Sequence, residues 1–97
     1  MFKFIILSIL FIAQLQANTL CNTNLNGMIH TFNAADKLAY EKKYVRAIAE
    51  LKNSNESSYK ALEYCEAEEK FDFRMVYAYI VESENRIYKL QELLIVD

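Results

Sequence analysis

Two cysteines and one histidine are the residues of this 97-residue chain with the most chemistry available to them: Cys21, Cys65 and His30. A thiol beside an imidazole can act as an activated nucleophile, and thiols with an imidazole can hold zinc. The spacing supports neither. Zinc sites of this kind place ligands in close pairs such as CxxC, whereas these cysteines stand 44 positions apart with a single histidine. No CxxCH run is present to attach haem. Two distant cysteines fit a disulfide best if the chain folds in an oxidising compartment, with His30 facing solvent. The other reading of the same pair is a thiol-dependent redox factor or enzyme using Cys21 or Cys65.

Carboxylates form the second group. Glu63, Glu66, Glu68, Glu69 and Asp72 lie within ten residues around Cys65. Glu66 and Glu69 would share a helix face, but acid/base pairs work in clefts where burial separates their pKa values. Calcium loops need alternating oxygen ligands and a glycine turn, which this run lacks. It reads as a solvated face beside Lys60 and Lys70, or as an acidic docking patch for a basic partner. No catalytic, metal or cofactor site is assigned from the sequence.

Tyrosine is the third. Beyond residue 17 the chain holds seven tyrosines and three phenylalanines. A tyrosine joins a large apolar ring to a hydroxyl that seeks water or a partner, so it suits binding surfaces and core edges alike. Tyr77, Tyr79 and Tyr88 point to different sides of one helix and cannot all enter its core. Leu93 and Ile95, in the terminal run Leu93-Leu94-Ile95-Val96, add more apolar faces than one small bundle can cover. These five residues form the candidate interaction surface, for an unidentified protein partner or for self-association.

The compartment follows from the first seventeen residues, MFKFIILSILFIAQLQA. They read as a secretory signal peptide: Lys3 is the basic start, Phe4 to Ala13 the apolar stretch, and Ala17 the small residue before the cut. The stretch is too short for a membrane span of about 20 apolar residues. Leu20, directly before Cys21, is not the small residue that lipid attachment requires. A single domain of residues 18–97 remains, periplasmic or secreted. Without Lys3 it carries 10 basic and 13 acidic side chains, a net charge of −3. No basic tract exists for nucleic acid.

One glycine, Gly27, and no proline interrupt the chain, so the sequence predicts an all-α fold. Residues 18–27, with four asparagines, predict an irregular lead or a frayed helix. Asn33 and Asp36 predict a helix start as N-cap and first-turn acid, followed by the apolar stripe Tyr40, Tyr44, Ala47, Ile48 and Leu51. The polar run 53–58 predicts the turn of an antiparallel hairpin near residue 55, with a second helical stretch from Ser57. Tyr59, Leu62 and Cys65 would share a face of that stretch. Val76, Ile80, Ser83, Ile87, Leu90 and Leu94 step by four and three, close to a heptad seam. Phe71-Asp72-Phe73 is a candidate break with Asp72 as N-cap, leaving the second arm as one helix or two. A Cys21–Cys65 bond would fold the N-terminal arm along the hairpin as a third element. The architecture expected is a small antiparallel hairpin or three-helix bundle whose N-terminal arm is tied by that disulfide.

Residues 35–51, ADKLAYEKKYVRAIAEL, resemble the middle of a tetratricopeptide repeat through Leu38, Tyr44, Ala47 and Ile48. Lys42 and Lys43 stand where that repeat carries its interhelix glycine, and no second copy follows one repeat length downstream. The resemblance implies peptide or protein binding and no catalysis. The alternative is a continuous helix with an ordinary core stripe. The function expected is a small exported non-enzymatic helical protein mediating protein–protein interaction: an adaptor, inhibitor, immunity-type or chaperone-like factor.

Overall fold

The computed structural model describes the backbone of residues 2–68 and 71–96 and the side chains of residues 19–68 and 71–95. The signal peptide expected over residues 1–17 lies outside the described side chains. Three helices account for the fold: α1 (Phe2–Tyr40), α2 (Tyr44–Tyr64) and α3 (Phe73–Val96). No strand occurs among the described residues. The chain is an all-α, three-helix bundle.

The hairpin turns at Glu41–Lys43, not near residue 55. The amide of Lys43 donates to the Leu38 carbonyl at 2.9 Å, and Lys42 takes φ 64°, a left-handed conformation that ends α1. A residue with a Cβ pays for that conformation, and glycine is the usual occupant. The helix predicted to start at Asn33 is thus the last two turns of α1, and a continuous helix through residues 35–51 is excluded. Residues 18–27 are helical as well. Asn24 turns its amide onto the Leu20 carbonyl at 2.8 Å, so its side chain bonds within the helix and does not cap a turn.

The polar run 53–58 lies inside α2, where two of its three hydroxyls are buried and hydrogen-bonded. Ser54 donates to the Met28 carbonyl of α1 at 2.9 Å and Ser58 to the Ser54 carbonyl at 2.8 Å, and both residues are buried. Small side chains let the two backbones approach. A Cβ on Gly27 would lie 3.2 Å from the Ser57 hydroxyl oxygen. The hairpin register then carries Cys21 and Cys65, 21 and 23 residues either side of Lys42, to a Cα separation of 4.9 Å, where they are disulfide-bonded. No long excursion is needed to form the bond.

Asp72 starts α3 as expected, accepting the Arg74 amide at 3.0 Å, so the second arm is two helices. Val76, Ile80, Ser83 and Leu90 of the seam are buried and Ile87 is half-buried, whereas Leu94 is 43 % exposed at its end. Three apolar clusters run along the bundle. Ala35, Ala47, Ile48, Leu51 and Leu90 fill the end near the first turn, with Leu38 and Tyr44 packed on them. Met28, Val76 and Ile80 fill the middle; Cys21, Ala61 and Cys65 close the other end. Tyr40 and Tyr59 were expected on these stripes, but both are exposed. Tyr40 is the last residue of α1, and Tyr59 follows the buried Ser58 by one position, which turns it about 100° away from the core.

Candidate interaction surface

The helical period divides α3 into an inner seam and two flanks. One flank meets α1. There Tyr79 packs edge-on against Phe32, with ring centroids 5.1 Å apart, and the Arg86 guanidinium lies over the same ring, 4.4 Å from its centroid. Arg86 also ion-pairs with Asp36 of α1 and with Glu82 one turn earlier at 3.0 Å. This single arginine adds a polar bridge between two helices that also meet through Met28, Val76 and Ile80. Shallow depressions of about 240 and 260 Å³ remain on either side of it, one floored by Ala35, Leu51 and Leu90, the other by Phe32, Met75 and Tyr79.

On the opposite flank Phe73 packs edge-on against Phe71, with ring centroids 4.7 Å apart, and from Tyr77 onward no ring contact or ion pair holds the row among the described residues. Phe73, Tyr77, Val81, Tyr88 and Ile95 recur at steps of four, four, seven and seven, which keeps them on one side of α3. All are exposed, Tyr77 to 55 %, Tyr88 to 65 % and Ile95 to 83 %. Glu84 and Gln91, also exposed, complete the stripe. α3 therefore carries a second apolar row beside the one it buries. A row of this length on one helix can supply flat, mainly apolar contact area with tyrosine hydroxyls at its margin, and it has no grouping of nucleophile, base and oxyanion donors.

Of the residues predicted for an interaction surface, Tyr77, Tyr88 and Ile95 fall on this flank. Tyr79 is half-buried toward α1, and Leu93, 45 % exposed, points to the α1 side of the helix end. Sequence reasoning passed over Phe73 and Val81, although the four-residue steps from Phe73 to Val81 were there to be read. It also missed the link of Arg86 to α1, because Asp36 lies 50 residues away.

The acidic run does not converge on a point. Glu63, Glu66 and Asp72 are exposed, Glu68 is half-buried, and Glu69 lies outside the described residues. Asp72 is occupied as the cap of α3. Among the described residues no three His, Cys, Asp or Glu side chains group as metal ligands. His30 is exposed on α1, in a polar groove shared with Lys37, Arg46 and Glu50. Both cysteines are in the disulfide and are 2 % and 0 % exposed, packed on Ala61, so neither presents a thiol. Among the described residues no helix is long and apolar enough to cross a membrane. Compared with family models, with curated proteins and with solved structures, the chain matches none.

Proposed function

We propose that this chain is a small exported, non-enzymatic protein that works by protein–protein contact, docking through the free apolar flank of α3 in an oxidising space outside the cytoplasm. The observation that carries the reading is the second row itself: Tyr77, Val81, Tyr88 and Ile95 stay more than half exposed while α3 is already anchored by its inner seam. Isolated exposed apolar residues are ordinary, but several aligned along one helix mark an interaction site. The bridged Cys21–Cys65 pair supports the compartment, since such bonds persist where thiols are not kept reduced. The resemblance of residues 35–51 to a tetratricopeptide repeat points the same way, toward protein or peptide binding. A photo-crosslinking amino acid at position 77 or 88 should give discrete products in the exported protein, and one at the exposed Tyr40 should not. Equal products from all three positions, or none, would refute the reading.

A further inference from the structure

We infer that the occupant of the α3 flank is a second copy of the same chain, laid antiparallel along it. The inference rests on the docking reading above and names the partner that the flank fits. Three observations carry it.

The first is charge placement. Arg74 and Glu92 are both exposed and neither has an ion-pair partner among the described residues. They stand eighteen residues apart, five helical turns, so they occupy the same side of α3 next to the apolar row. Each is also at the end of α3 where the helix dipole disfavours it. Arg74 sits in the first turn, at the positive end, and Glu92 lies near the negative end. An antiparallel copy sets Arg74 of one chain beside Glu92 of the other, twice by symmetry, and relieves both conflicts. A parallel copy would set like on like.

The second is area. Phe, Tyr and Trp side chains bury roughly 150–250 Å² each. With Phe73, Tyr77, Val81, Tyr88 and Ile95 between 41 and 83 % exposed, one flank offers on the order of 600–700 Å². Buried completely, two flanks together would give at most roughly 1,200–1,400 Å², the lower edge of the range for specific interfaces.

The third is the repeat. Val81, Tyr88 and Ile95 are spaced by seven, which is one of the two apolar positions of a seam between two helices, while the other position holds Tyr77 and then the polar Glu84 and Gln91. The two-fold axis falls near Ser83, so Glu84 meets its own counterpart at the centre. That like-charge contact weakens the pair and gives it a signature that no foreign partner would share.

The test is sedimentation of the full exported, disulfide-bonded chain over a hundredfold concentration range. A dimer with a micromolar or tighter dissociation constant is expected. Tyr88→Asp should abolish it with unchanged helicity by circular dichroism. Arg74→Glu should weaken it about tenfold, two ion pairs becoming two repulsions; the double variant Arg74→Glu/Glu92→Arg should restore it, and Glu84→Gln should tighten it. A monomer throughout the range, or a dimer indifferent to Tyr88→Asp, overturns the inference. If the chain is monomeric and position 88 still crosslinks to a different protein, the second copy is refuted and the docking reading stands. If it is monomeric and nothing crosslinks, both fall.

Discussion

The Ser54 hydroxyl donates to the carbonyl of Met28, 26 residues earlier in the chain, at 2.9 Å, and this buried bond ties α2 to α1. A serine that would favour a turn in isolation becomes a fixed interior contact once a neighbouring carbonyl is within reach. Ser54→Ala should cost about 1 kcal/mol in urea unfolding through loss of this bond. Ser54→Leu should cost about 3 kcal/mol, because the added carbons have no space between the helices.

At Gly27 two effects oppose each other. Alanine gains about 1 kcal/mol of helix propensity, while its Cβ meets the Ser57 hydroxyl at 3.2 Å. Gly27→Ala alone should therefore be close to neutral. Combined with Ser57→Ala, which removes the obstructing oxygen, it should stabilise by up to about 1 kcal/mol on the background of that variant.

Lys42 holds the left-handed position at the first turn with φ 64° and is exposed. Lys42→Gly should raise stability by about 1 kcal/mol, since glycine meets no Cβ penalty there. A loss of stability in thermal unfolding would show that the lysine makes a contact elsewhere that outweighs its conformational cost.

The Cys21–Cys65 bond closes a 45-residue loop. Chain entropy assigns it about 4 kcal/mol at this length. Replacing both cysteines by alanine should lower the unfolding free energy by about 2–4 kcal/mol, a large share for a domain of this size. The exported protein, alkylated without reduction, should take up no label and should have the mass of the chain from Asn18. One or two labelled thiols in native protein would restore the thiol-chemistry reading of this pair.

Helical content was legible in the sequence because propensity is local: almost no glycine, no proline, and apolar steps of three and four. The disulfide was legible from the cysteine count, and the start of α3 from Asp72. The position of the hairpin turn was not. Residues 53–58 have turn chemistry, yet the partner that overrides it, the Met28 carbonyl, is remote in sequence. Conversely, Lys42 and Lys43 carry no turn signature, and the register of the two helices that bend there is fixed by the close approach of Gly27 to Ser57 and by the Ser54–Met28 bond. The interaction surface was half legible. Tyr77, Tyr88 and Ile95 stood out by type, whereas the division of α3 into a bridged flank and a free one depends on Arg86 reaching Asp36 and Phe32, which only the fold brings together.

The central claim is that the free flank of α3 is covered when the protein is at work. Hydroxyl-radical footprinting of the exported protein in its native fraction, compared with the purified chain at high dilution, tests this most directly. Tyr77 and Tyr88 should be protected in the native fraction and reactive when diluted, while Tyr40, 90 % exposed at the end of α1, should react equally in both. Equal reactivity of Tyr88 in the two samples would contradict the claim.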